Sequence, residues 1–187
     1  MRLINVDTLQ LSESFGDNIP RYAILSHRWG KDEVDFEMFS YSLAKAKGML
    51  GFKKIGYCAK QSSKDGLQWC WADTCCIDKR SSSELSEAIK SMYQWYQSAA
   101  VCYAYLEDIT VPSLENDKHM FSSDWFSRGW TLQELIAPRK LHFYSKNWSK
   151  LGGKGKYTQL ISSVLGIDVG VLLGHLPVER VSIGQRM

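Results

Sequence analysis

Four apolar runs, each followed by a stretch with helical signals, constrain this chain more than any other feature. The runs lie in RYAILSHRWG, LQWCWADTCCID, AAVCYAYLEDI and KLHFYS. Each is about the length of a buried strand and is nearly continuous in apolar residues, as strands covered on both faces are. After the first run, residues 35–61 carry Phe36, Phe39, Leu43, Ala46 and Leu50 near helical spacing, with a break suggested by Gly48 and Gly51. After the second comes KRSSSELSEAIKSMYQWYQSA, the clearest helix. Its serines precede Glu84 and Glu87, a capping residue followed by acidic first-turn charges. Leu85, Ile89, Met92 and Tyr96 then recur at helical spacing. Residues 124–137 predict a short helix stopped by Pro138, and YTQLISSVLGI predicts one ending near Gly166. TVPSLENDKHMFSSD and NWSKLGGKGK read as loops.

Strand and helix alternating four times predicts an α/β layered fold with a central, mainly parallel sheet flanked by helices. In such sheets ligands bind beyond the carboxyl ends of the strands. That rule points to Ser26, His27, Arg28 and Trp29 after the first run, to Asp78 and Lys79 after the second, and to Glu107 and Asp108 after the third. The 187 residues suit a single domain, with a core over about 20–165. The stretch after 167 shows no closing element, so we expect a downstream region beyond it.

Bulk properties remove some classes. A net charge of +3 with scattered basic residues gives no reason to expect nucleic acid as a partner. No window approaches the apolar length of a membrane span, so no membrane partner is expected. The N-terminus lacks a secretory pattern, and the odd count of five cysteines reads as reduced thiols in a cytoplasmic protein. CWADTCC lacks paired metal-ligand spacing, so no metal is expected. Seven Trp and nine Tyr are many for this length, and aromatics at that density line pockets as well as cores.

Motifs for chemistry are few. GGKGK is not a phosphate-binding loop, and neither G-x-G-x-x-G nor G-x-S-x-G occurs. Ser26 and His27 are strand neighbours and point to opposite faces, so they make no dyad. Cys102 with His27 or His142 is a conceivable pair, but mid-strand thiols are usually buried and inert. Glu84 and Glu87 are explained by the helix they start. Glu134 is different. In FSRGWTLQEL it follows Trp130 by about one turn, with Leu132 and Leu135 beside it. Composition alone still favours a surface charge there.

The blocks YAILSHRWG, WCWADTCCIDKRSSSELSEAIKSMYQWYQSAAVCYAYLEDI and SDWFSRGWTLQELIAPRKLHFYSKNW resemble the three blocks of the fungal heterokaryon incompatibility (HET) domain, over about residues 22–148. That resemblance implies a role in non-self recognition, where activation leads to cell death. The chain is also similar, more distantly, to Toll/interleukin receptor (TIR) domains, which have a flavodoxin-like fold. ILSHRWGKDE resembles their first strand and loop, CCIDKRSSSELSEAI their second strand end and helix, and SRGWTLQEL their Ser-x-Trp-Cys-x-x-Glu-Leu motif. Here three residues separate Trp130 from Glu134, and the motif's Cys is absent.

The TIR resemblance implies that Glu134 is the catalytic carboxylate of an NAD glycohydrolase, with NAD as substrate and no cofactor. Ser26, His27, Arg28, Trp29, Asp78, Arg128 and Trp130 then form the substrate site, the arginines meeting pyrophosphate and the tryptophans stacking on rings. It also implies self-association through like domains. Two rivals stand beside it. One is a non-catalytic self-association and signalling module, in which Trp29, Trp125 and SRGW form an exposed patch and Glu134 is a rim charge. The other is a nucleoside-processing transferase that also uses a Glu near a ribose.

Overall fold

The structure is a computed structural model. It describes residues 1–177 except 15, 17 and 111–116, so the predicted loop at 110–122 and the C-terminal stretch lie partly outside the described residues. The chain divides into two compact units, Met1–Leu25 with Trp29–Trp95 and Ser26–Arg28 with Tyr96–Met187.

The first unit contains β1 (Arg2–Asn5), β2 (Leu11–Glu13), most of β3 (Tyr22–His27), α1 (Phe36–Tyr41), α2 (Leu43–Ala46), α3 (Phe52–Lys64), β4 (Trp69–Trp71), α4 (Asp73–Cys76) and most of α5 (Ser82–Ser98), the last residues of β3 and α5 falling in the second unit. Its strands run in the order β2-β1-β4-β3. β3 and β4 are parallel, with Tyr22 opposite Trp69 and Ile24 opposite Trp71. β1 is antiparallel to both β4 and β2. All six residues of β3 are buried. Leu3, Ile4, Ile24, Ile55 and Trp71 are fully buried too. Each such aliphatic side chain contributes about 1.5–3 kcal/mol by leaving water. Tyr22 spans this core and donates its hydroxyl to the Trp95 carbonyl at 2.6 Å, and burial pushes its phenol pKa up.

The second unit contains β5 (Val101–Leu106), 3-10 turns at Asp117–Ser122 and Asp124–Ser127, α6 (Thr131–Ile136), β6 (Leu141–Ser145), β7 (Lys150–Gly153), α7 (Lys154–Leu165) and α8 (Val169–Leu172). β5 and β6 are parallel, from Cys102 opposite Leu141 to Leu106 opposite Ser145. β7 adds antiparallel to β6. α7 packs on β6 and β7 and ends at Gly166, whose φ of 67° is the left-handed cap that glycine favours.

The α/β class expected from the sequence is the one observed, with parallel pairs β3/β4 and β5/β6, helices packed on strands, and an arrangement in keeping with a flavodoxin-like layout. Three local expectations need correction. LQWCWADTCCID is not one strand. It is strand only to Trp71, and a single helical turn begins at Asp73, closed by the Cys76 amide on the Ala72 carbonyl at 2.9 Å. NWSKLGGKGK is not all loop, since it holds β7 and the start of α7. Gly152 permits this: its φ is 155°, and a Cβ there would lie 2.7 Å from the Tyr157 ring. In α5 the packed side passes through Ala88 and Tyr96, and Ile89 is 45% exposed. β1 and β2 were not anticipated at all.

The five cysteines are buried and free of disulfides. A hydrogen bond with Cys58, together with burial, pushes the Cys70 thiol up, and burial does the same to Cys75. Among the described residues no group of His, Cys, Asp or Glu is placed to hold a metal ion, and no helix is long and apolar enough to cross a membrane.

Candidate active site

Glu134 is buried, with 4% of its surface exposed. It sits one turn into α6, its amide donating to the Trp130 carbonyl at 3.3 Å. Three side chains of the second unit organise it. The Ser26 hydroxyl donates to Oε2 at 2.6 Å. The Trp125 indole N–H donates to the Ser26 oxygen at 2.8 Å. Arg128 reaches Oε2 at 3.3 Å and Oε1 at 3.4 Å, and makes a tighter bond to the His27 carbonyl at 2.8 Å. Charge-assisted bonds of this kind are usually nearer 2.7–2.9 Å, so Arg128 is held mainly by the backbone and only loosely by the carboxylate.

Each partner is placed by a local device. Ser26 and His27 end β3, in the apolar stretch that the parallel sheet buries. Trp125 is fixed by the turn that follows β5. There Asp108 accepts from the Ser123 hydroxyl at 2.6 Å and from the Asp124 amide at 2.7 Å. Ser123 in turn caps the 3-10 turn by accepting from the Trp125 amide at 3.2 Å. The indole ring meets Phe126 and Phe143 edge to face, at 4.8 and 5.9 Å. The Thr131 hydroxyl donates to the Trp125 carbonyl at 2.5 Å and ties that turn to α6. The far end of α6 is clamped by Lys154, whose buried ammonium donates to the carbonyls of Leu135 at 3.1 Å and Pro138 at 2.7 Å. Burial lowers the Lys154 pKa to about 8.

Of the predicted site residues, Ser26, His27, Arg128 and Glu134 come together here. Trp130 precedes α6 and is 48% exposed. Arg28 is exposed and pairs with Asp124. It borders a cleft of about 170 Å³ with Tyr105, Glu107, Asp108, Ser123 and Trp125, beyond the ends of β3 and β5. Trp29 and Asp78 belong to the first unit. Trp29 donates its indole N–H to Asp73 at 2.7 Å, and the Lys79 ammonium lies 3.3 Å from its ring centre. Asp78 accepts from the side chain and backbone of Arg80, at 3.2 and 3.1 Å, and the side-chain bond is the main cause of its lowered pKa. This is the local turn role that an Asp after a strand commonly takes.

Sequence reasoning assigned Trp125 only to an exposed patch. It is 1% exposed, so the patch imagined for the interaction module loses that member. Neither Trp125 nor Ser123 was foreseen as part of the Glu134 cluster. The visible signal was Ser-Asp after a loop, a capping pair that starts a turn.

A groove of about 340 Å³ lies beside this cluster, lined by Phe126, Ser127, Arg128, Gly129, Thr131, Leu132, Leu165 and Ile167. Its lining includes Arg128 and not Glu134.

The sequence profile described as "Heterokaryon incompatibility protein (HET)" matches residues 22–116, half of the chain. The chain belongs to the heterokaryon incompatibility (HET) family. This HET chain is also 43% identical, over 175 residues, to the vegetative incompatibility protein HET-E-1 of Podospora anserina. The alignment covers 90% of the chain but only 13% of that protein. No solved structure matches this chain. The profile match ends before Arg128 and Glu134, so the HET assignment rests on the strands and helices that precede the carboxylate.

Proposed function

We propose that this chain is an effector domain of fungal non-self recognition and that it cleaves NAD at the nicotinamide–ribose bond, with Glu134 as the catalytic carboxylate. The vegetative incompatibility protein that it resembles supports the first part. The second part rests on one observation: a buried Glu134 held at 2.6 Å by Ser26, at the carboxyl end of β3.

The chemistry suits a single carboxylate. As the C–N bond breaks, nicotinamide leaves with the bonding electrons and becomes neutral, so it needs no acid. The ribose becomes cationic, as in glycoside cleavage. A fixed anion beside it, in a site that excludes water, stabilises that charge strongly. Water then adds to the ribose carbon and gives up a proton, leaving ADP-ribose. Arg128 would meet the pyrophosphate, and Arg28 stands at the neighbouring cleft. In this reading Glu134 comes into play when Arg128 shifts, which fits a domain held inactive until it clusters with like domains in the cytoplasm.

The test is nicotinamide release from NAD by the purified domain, at concentrations high enough for self-association. Glu134→Gln should cut turnover at least about a hundredfold while leaving the fold intact. Unchanged turnover in that variant, or none from the unaltered chain in any assembled state, would sink the hydrolase reading. The rival, a docking module without turnover, draws on Trp29 and Trp130, which are 50% and 48% exposed.

A further inference from the structure

The 340 Å³ groove in the second unit is distinctive because of its lining. Phe126, Leu132, Leu165 and Ile167 supply apolar wall, and among the described lining residues Arg128 supplies the only charge. Its volume falls within the roughly 300–1,000 Å³ range typical of small-molecule sites, which are mostly apolar with a few orienting polar groups. Arg128 has more N–H donors than its bonds to His27 and Glu134 use. Its two contacts with Glu134 are long, so an anion that approaches at ordinary charge-assisted bonding distance competes for the guanidinium.

We propose that this groove binds a flat, apolar molecule carrying one anionic group, which Arg128 takes in exchange for its contact with Glu134. The ring lies against Phe126 and the aliphatic wall. The anion forms the short, paired bonds that Glu134 does not provide. A neutral ring lacks that anchor, and a small hydrophilic anion gains nothing from the wall. Occupancy therefore withdraws Arg128 from the Glu134 carboxylate while Ser26 still donates to Oε2. This holds whether or not the chain cleaves NAD, because it concerns binding alone.

The probes are 2-naphthoate, its uncharged twin 2-naphthamide, and acetate, titrated into the intact chain by calorimetry. Naphthoate should bind at least about tenfold tighter than either of the others, the usual effect of one charge-assisted bond. Leu132→Trp should remove binding by filling the groove. Leu165→Trp does the same from another segment and covers the case in which the first variant fails to fold. Arg128→Met combined with Glu134→Gln, which leaves no unpaired buried carboxylate, should bring naphthoate down to the level of naphthamide. In the unaltered chain, the carboxyl carbon resonance of Glu134 should shift as naphthoate saturates. No binding by naphthoate, equal binding of the amide, or binding indifferent to the groove-filling variants would overturn the site. A Glu134 resonance that stays fixed at saturation would overturn the exchange.

Discussion

Two arginine–glutamate pairs, one in each unit, are built to opposite ends. In the first unit Arg2 grips both carboxylate oxygens of Glu84, one of them at 3.1 Å. It also bonds Glu13 at 3.0 Å and lies 4.5 Å from the centre of the Phe36 ring. Glu84 accepts the Asp78 amide as well, at 2.8 Å. In the second unit Arg128 stands off Glu134 at 3.3 and 3.4 Å. The two arginine side chains are equally exposed, at 21%, but the Glu84 side chain is 29% exposed and the Glu134 side chain only 5%. The first pair is a tight surface clasp joining β1 to the start of α5. The second places its negative charge inside the protein and gives it a loose partner. The first pair gains from closure; the second sequesters its carboxylate from water and loses solvation in doing so.

That contrast fails first at Arg128. Removing it leaves a buried carboxylate short of a counter-charge, which costs about 3–5 kcal/mol. Urea unfolding of Arg128→Met should show that loss, and adding Glu134→Gln should recover most of it. If Arg128→Met costs no more than Arg2→Met, the two pairs are alike and the distinction falls.

A second test turns on the clamp behind α6. Lys154 is held near pKa 8, well below its unfolded value, so its charged form is a burden in the folded state. That burden is present below about pH 8 and is lifted as pH climbs toward the unfolded lysine value near 10.4, where stability should rise by about 2–3 kcal/mol. The unaltered chain should therefore gain stability relative to Lys154→Met between pH 8 and 10. Parallel curves would mean that Lys154 is better hydrated than its burial implies.

The smallest effect belongs to the surface clasp. Arg2→Met should cost about 1 kcal/mol, and less at high salt, since partly exposed pairs are weak and screened. A loss of several kcal/mol would show that β1 depends on Arg2 as strongly as α6 depends on its own contacts.

Much of the fold could be read from the residues. The strands at 22–27, 101–106 and 141–145 declared themselves because parallel strands are covered on both faces and so are apolar over most of their length. α5 was legible because its serine start and its spacing agree. The edges were not. β1, β2 and β7 have three or four residues each, too few for alternation to show, and β7 depends on the special backbone of Gly152. The Trp69–Cys76 run misled because a short apolar stretch does not say whether it is strand or helix. At the site, the resemblance pointed to Glu134, Arg128 and Ser26. The residue that locks them, Trp125, was hidden, since its burial depends on Asp108 organising a turn fifteen or more positions away.

An indole N–H can only give, never receive. With Trp125 giving to the Ser26 oxygen, the single proton of that hydroxyl is committed to Glu134, and the relay runs one way. Ser26 is thus no courier between the carboxylate and a third group. Any chemistry in this pocket that asks the serine to hand its proton elsewhere must first swing the tryptophan out of line.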